Sequence, residues 1–246
     1  MASLSGKVAI VTGASRGIGR AIAERLAQDG ATVVINYGRS ADDANELVTQ
    51  IESKGGKALA VQADISQVTD IRRLFQETID HYGQLDILVN NAGIAKAGAI
   101  ADVTEEDFDA VYAINVRGVL FCLQEAVHHM NHNGRIVIVS STTTIHPSPG
   151  AAIYTSSKAA VKLFTEVLAQ EVGDRGITVN TIVPGPTTPG MFDHQPQEVR
   201  EMAEKSSPFG RIGRAEDIAD VVAFLASEAS RWITGQHIVA NGGAKI

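Results

Sequence analysis

Tyr154 and Lys158 stand four positions apart in Tyr154-Thr155-Ser156-Ser157-Lys158, a spacing that puts both on one face of a helix. A phenol with a pKa of about 10 is a poor acid or base at neutral pH unless a cation stabilises its phenolate. Lys158 can be that cation, so the pair is suited to acid/base work. Two serines, Ser140 and Ser141, lie upstream at the end of an apolar run. Taken alone, Tyr-x-x-x-Lys most often marks a solvated helical pair, and its weight depends on what else the chain carries.

A second constellation lies near the start. The run Val8 to Thr12 leads into Gly13-Ala14-Ser15-Arg16-Gly17-Ile18-Gly19, followed by helical spacing of Ile18, Ala21, Ile22 and Leu26. Glycines at such a turn let backbone N–H groups and a helix N-terminus approach a pyrophosphate with no Cβ in the way. The spacing is G-x-x-x-G-x-G rather than the general dinucleotide fingerprint, and a plain strand-to-helix connector is the bland alternative. The next apolar run ends in Asn36-Tyr37-Gly38-Arg39-Ser40. An acid at that position would accept from the ribose hydroxyls of NAD, whereas arginine pairs with the 2'-phosphate of NADP. The acid is missing, and Arg39 and Arg16 point to NADP(H).

The elements that must position these groups alternate along the whole chain. Strands are expected at Val8 to Thr12, Thr32 to Asn36, Ala58 to Gln62, Ile87 to Asn90, Ile136 to Ser140, Thr178 to Val183 and His237 to Ala240. Helices are expected near 16–28, 41–54, 67–81, 104–131, 152–172 and 215–226. Nearly continuous Val/Ile/Leu/Ala strands separated by helices predict a single-domain α/β fold, a doubly wound parallel sheet with helices on both faces. In such a sheet ligands sit at the carboxyl ends of the strands, where both constellations fall. The segment 188–208 reads as a long loop, a substrate lid, with Met191 and Phe192 as one apolar wall and Thr142 to Ile145 as another.

Composition narrows the partners. Across 246 residues the net charge is -7, which disfavours nucleic acid and anionic membrane surfaces. No apolar run approaches about 18 residues, so no membrane span is expected. Met1 to Lys7 lacks the basic and apolar regions of a signal peptide, and the default location is cytoplasmic. The single cysteine, Cys122, reads as a buried thiol. His128 and His132 lie one helical turn apart near Glu125 and His129, but no partner cluster completes a site, and no metal is assigned.

Jointly these motifs resemble the short-chain dehydrogenases/reductases, most closely the 3-oxoacyl-[acyl-carrier-protein] reductase type. The resemblance spans essentially the whole chain: Thr12 to Gly19, Asp64, Asn90-Asn91-Ala92-Gly93, Asn115, Ser141, Tyr154, Lys158, Pro184-Gly185 and Asn241-Gly242-Gly243. The family's interval of thirteen positions between serine and tyrosine selects Ser141 over Ser140. The resemblance implies a Rossmann-like fold and a catalytic set in which Tyr154 is the general acid and Ser141 binds the carbonyl oxygen. Lys158 lowers the tyrosine pKa and holds the nicotinamide ribose, and Asn115 holds a relay water. It further implies that Gly13, Ser15, Arg16, Gly17, Ile18 and Gly19 line the phosphates and ribose. Asn36, Tyr37, Arg39 and Ser40 would form the 2'-phosphate end, and Asp64 and Ile65 the adenine site. Asn91, Ala92 and Gly93 would flank the adenosine, and Pro184, Gly185 and Thr187 the carboxamide; Asp64 alternatively reads as a plain turn acid.

The function expected is NADPH-dependent reduction of ketones or oxoesters, in a homotetramer built on helices 104–131 and 152–172. A 3-oxoacyl-[acyl-carrier-protein] reductase is the alternative. It is disfavoured because His128-His129-Met130-Asn131-His132-Asn133 replaces the basic patch that docks the carrier, although Arg175 matches a second basic position. A non-catalytic NADP(H) sensor is more distant, since it has no use for a tuned phenol.

Overall fold

The computed structural model describes residues 4–244. The strands are β1 (Val8–Val11), β2 (Thr32–Tyr37), β3 (Lys57–Gln62), β4 (Ile87–Asn90), β5 (Arg135–Val139), β6 (Thr178–Pro184), β7 (Thr187–Thr188), β8 (Gly213–Arg214) and β9 (His237–Ala240). Seven of them form one sheet in the order β3-β2-β1-β4-β5-β6-β9, and every pairing is parallel. The chain winds outward from β1 to β3, then crosses back to β4. The crevice between the carboxyl ends of β1 and β4 is therefore the point where strand order reverses.

The helices are α1 (Gly17–Gln28), α2 (Ala41–Ser53), α3 (Val68–Tyr82), α4 (Glu105–Tyr112), α5 (Val119–His129), α6 (Ala152–Glu171), α7 (Gln197–Ser206) and α8 (Ala215–Leu225). Successive strand side chains alternate between two cores. Ala9, Val11, Val33 and Ile35 pack with Ile22, Leu26, Leu47 and Val222 of α1, α2 and α8. Ile10, Val34, Leu88 and Ile136 pack with Leu74, Phe75, Leu123 and Val161 of α3, α5 and α6. Both faces being covered, the strands read as unbroken apolar runs. At the sheet end away from the crevice, buried Asp86 accepts from Lys7 Nζ (3.2 Å), Val8 N (2.9 Å) and Asn131 Nδ2 (3.1 Å).

The structure departs from the sequence expectations in four places. The stretch 104–131 is not one regular helix: a π-helical segment, Ala113–Gly118, joins α4 to α5. The continuous helical stretch Glu105–His129 is long and apolar enough to cross a membrane, although polar residues break it into short apolar runs in the sequence. It is a core helix here, with Val119, Cys122, Leu123 and Ala126 packed under the sheet. The segment 188–208 contains α7 and the short 3-10 turn Met191–His194, and the small β7/β8 pair was not anticipated. Part of the reading of Met1 to Lys7 falls on residues 1–3, outside the described residues.

Gly118 ends the π-helical segment where it presses on the chain after β3. A Cβ there would run into the Ile65 carbonyl oxygen and lie 2.7 Å from Ile65 Cγ2. Gly118→Ala is expected to destabilise the protein by about 1–3 kcal/mol through overpacking, lowering Tm by several degrees in thermal unfolding. An unchanged Tm would show that this approach carries no constraint.

Candidate active site

The glycine turn is held from both neighbouring strands. Gly13 and Gly17 have φ of 62° and 59°, the left-handed region that glycine enters without steric cost. Asn36, at the end of β2, is buried and turned inward: its Oδ1 accepts from Gly13 N at 3.1 Å and its Nδ2 donates to Ala63 O at 3.0 Å. Asn91, after β4, donates to Thr12 O (2.9 Å) and Gly13 O (3.1 Å), while Thr12 Oγ1 accepts from Asn91 N and Ala92 N, both at 3.0 Å. A Cβ on Gly19 would meet Asn91 Nδ2 and Gly13 O, and one on Gly13 would lie 3.0 Å from Ala92 Cα. Asn36 and Asn91 thus shape the turn through its backbone, a role their residue types alone did not reveal.

This turn fits a pyrophosphate. The first turn of α1 has no side-chain cap and no acidic residue, so its N–H groups remain open to an anion. Arg16 and Arg39 are exposed, and neither pairs with a carboxylate among the described residues. Tyr37 packs partly against the core, and Ser40 precedes α2 without capping it. Asp64 Oδ1 accepts from Ser66 N at 2.9 Å, a turn bond, while Ile65 is buried beside Gly118.

Across the crevice, β5 and α6 place the acid/base groups. Lys158 is buried, and its Nζ donates to Val139 O at the end of β5 (2.8 Å) and lies 5.9 Å from the centre of the Tyr154 ring. Burial pushes the lysine down to about 8. The two serines separate cleanly. Ser140 is buried and donates to the Lys158 carbonyl at 2.9 Å, whereas Ser141 Oγ faces Tyr154 and hydrogen-bonds it. Burial raises the phenol above its ordinary value and outweighs the Ser141 bond, which lowers it. The expectation that Lys158 depresses Tyr154 is therefore corrected for the chain by itself, because the ammonium is directed to a carbonyl rather than to the phenol oxygen.

Asn115 sits in the π-helical segment, fully buried. Its Oδ1 accepts from Ile94 N (2.9 Å), and its Nδ2 donates to Ile94 O (2.9 Å) and Ser157 Oγ (3.0 Å). Ser157 in turn donates to Tyr154 O at 2.7 Å. A Cβ on Gly93 would lie 3.2 Å from Lys158 Nζ and 3.3 Å from Asn115 Oδ1, a tight approach to both side chains. Pro184 ends β6 beside Ala240, Gly185 N donates to Ala240 O at 3.1 Å, and Thr187 Oγ1 donates to Gly185 O at 2.9 Å.

Other expectations resolve away from the crevice. Cys122 is buried with its thiol pushed strongly up by desolvation. His129 Nε2 lies 3.4 Å from Glu125, which also pairs with Arg72, while His128 and His132 face solvent. Arg175 donates to Val127 O (2.6 Å) and to Met130 O at the end of α5, so it caps a helix and is not a free docking base. Leu163 and Val167 of α6 are more than half exposed, whereas Phe164 is partly buried.

A family model described as enoyl-(acyl carrier protein) reductase matches residues 13–245. The tetrahydroxynaphthalene reductase assigned as probable in Zymoseptoria tritici is 42% identical over 98% of this chain and 95% of its own. A solved short-chain dehydrogenase of Burkholderia cenocepacia in complex with NADP superposes with a TM-score of 0.94 at 41% identity, covering 98% of each chain. The chain is a short-chain dehydrogenase/reductase. The angucycline C-6 ketoreductase with bound NADP is also similar, at 45% identity and a TM-score of 0.94 over 98% of this chain and 96% of its own.

The buried lysine gives this dehydrogenase/reductase a pH-dependent stability term. An unfolded lysine titrates at about 10.4, while Lys158 is pushed down to about 8 in the fold. Between those values the unfolded chain binds more protons, so stability rises with pH through that window. The stability difference between the wild type and Lys158→Met should shift in the wild type's favour by roughly 1–3 kcal/mol from about pH 8 to about pH 10.5 in urea unfolding. Parallel pH curves for the two proteins would refute a depressed lysine.

Proposed function

We propose that the chain is an NADPH-dependent reductase of ketones and oxoesters, acting on a hydrophobic, fused-ring type of substrate, with Tyr154 as general acid. The observation that carries this reading is the convergence of Ser141, Tyr154 and Lys158 beside an uncapped helix N-terminus. The glycine turn from Gly13 to Gly19 would hold the dinucleotide pyrophosphate, with Arg16 and Arg39 at the 2'-phosphate and Lys158 at the nicotinamide ribose. Bound there, the reduced dinucleotide supplies a hydride.

The chain's own residues supply everything else. Ser141 donates a hydrogen bond to the carbonyl oxygen, and Tyr154 gives that oxygen its proton. Burial keeps the phenol protonated at neutral pH, the form that reduction needs. Oxidation of the alcohol needs the phenolate, so it is favoured as pH rises through the tyrosine's pKa. Asn115, bonded through Ser157 to the Tyr154 carbonyl, ties the acid to the π-helical segment.

Ile145 and Met191, both half exposed, offer apolar walls for the substrate, with 188–208 as its cover. The tetrahydroxynaphthalene, versicolorin and angucycline reductases among its relatives are named for fused-ring substrates, which supports that class here. The engaged Arg175 speaks against carrier docking. The exposed Leu163 and Val167 support assembly of copies through α6, the tetramer expected of the family.

NADPH oxidation measured against a tetralone, ethyl acetoacetate and a carrier-linked oxoacyl thioester tests the reading, with the tetralone expected to be turned over best. Tyr154→Phe should lower kcat by about 10²–10⁴-fold while leaving NADPH binding and Tm nearly intact. Substantial residual reductase activity would remove Tyr154 from its role. Arg39→Asp should weaken NADPH selectivity over NADH by roughly ten- to a hundredfold, the value of a charge-assisted hydrogen bond. Equal use of both cofactors by the unmodified protein would count against the two arginines.

A further inference from the structure

Three consecutive threonines follow Ser141, and they do different things. Thr142 is buried, and Thr144 Oγ1 donates to the Ser141 carbonyl at 2.8 Å. Thr143 addresses the Ser141 hydroxyl itself, twice: its N donates to Ser141 Oγ at 3.2 Å and its Oγ1 donates to the same oxygen at 3.1 Å. Ser141 is extended, with φ -160° and ψ 148°, and starts the 3-10 turn Thr142–Thr144, which brings Thr143 back over it.

A serine hydroxyl has one proton to donate and two lone pairs to accept with. An ordinary ST turn uses one lone pair, for the backbone N–H. The second would then be open to the Tyr154 phenol, and a phenol that donates to serine has its proton committed away from the substrate. Here both acceptor positions on Ser141 Oγ are taken by Thr143, so the only capacity left to Ser141 is to donate.

We propose that Thr143 is a positioning residue that fixes the direction of the Ser141–Tyr154 hydrogen bond. It forces the one serine proton toward the tyrosine oxygen before substrate binds and toward the carbonyl oxygen once substrate is bound, and so leaves the phenol proton free for transfer. No bond is made or broken by Thr143; its effect is carried entirely by Ser141. The inference rests on the roles given above to Ser141 and Tyr154. Of the segment Thr142 to Ile145, which the sequence reading gave as an apolar wall, Thr143 turns its hydroxyl to the serine, while Ile145 keeps its apolar side chain half exposed.

The test compares Thr143→Val, which keeps the shape and loses the hydroxyl, with Thr143→Ser, which keeps the hydroxyl, each alone and in a Ser141→Ala background. The substrate is whichever of the tetralone and ethyl acetoacetate the wild type reduces better. Thr143→Val should lower kcat about five- to twentyfold, the loss of a hydrogen bond of roughly 1–2 kcal/mol, with KM within about twofold. Its alcohol-oxidation rate profile should move to higher pH, because the phenolate loses an aligned donor. Thr143→Ser should restore both. In the Ser141→Ala background Thr143→Val should have no further effect, since the two act as one unit. An equal loss in both backgrounds, a Thr143→Ser as poor as Thr143→Val, or a Thr143→Val with wild-type kcat and pH profile would each overturn the inference while leaving the reductase reading in place. A wild type that reduces neither ketone would overturn both.

Discussion

The hydrogen bond from the buried Lys158 ammonium to the Val139 carbonyl is the contact on which the site depends. An ammonium with no water around it must find an acceptor, and the nearest is the last carbonyl of β5, freed because the strand ends there. The reciprocal bond from Ser140 Oγ to the Lys158 carbonyl closes the pair. Together they lock the register of α6 against β5. Tyr154, one turn earlier on α6, and Ser141, one residue beyond Ser140, are brought to each other as a result. Burial that fixes the lysine also drives its pKa down to about 8, so the geometry and the tuning have one cause.

The cofactor side is built on the same principle with neutral groups. Parallel strands end at one edge with unpaired peptide groups, and a turn of open backbone N–H groups is stable there only if its other polar atoms are satisfied. Thr12, Asn36 and Asn91 satisfy them, reaching from β1, β2 and the end of β4. Glycine at 13 and 19 is required because Ala92, Asn91 and the turn's own carbonyl occupy the space of a side chain. The glycine turn is thus a pocket of main chain held by three inward-facing polar side chains, with the proposed 2'-phosphate arginines only at its outer end.

The π-helical segment links the two halves. One extra residue in the turn lets Asn115 face the crevice instead of completing a regular helical ladder, and its side-chain amide takes both main-chain atoms of Ile94. Gly93 leaves room for Asn115 and Lys158 to approach one another. A local defect in the helix thereby joins the loop after β4 to the base of the Tyr154 turn. Across the same crevice, Gly98 N donates to Gly150 O at 2.9 Å and ties that loop to the approach to α6.

Strand and helix periodicity, the glycine turn and the Tyr/Lys spacing were all legible in the sequence, because each is a local pattern. A buried parallel strand must be apolar on both faces, and a turn around a pyrophosphate must lack Cβ atoms. The family resemblance added the serine interval and singled out Asn115, whose partners in the fold are Ile94 and Ser157. Tertiary structure alone decided what each polar atom is bonded to. It turned Asn36 inward onto the turn, spent Arg175 on the end of α5, hid α7 within an apparent loop and set Thr143 on Ser141. In the chain by itself it also raised the pKa of Tyr154, since a neighbour's charge lowers a phenol only when its field outweighs the loss of water around it. Residue type and spacing state which groups can meet. The direction of a hydrogen bond and the balance between burial and charge depend on three-dimensional surroundings that no interval along the chain encodes.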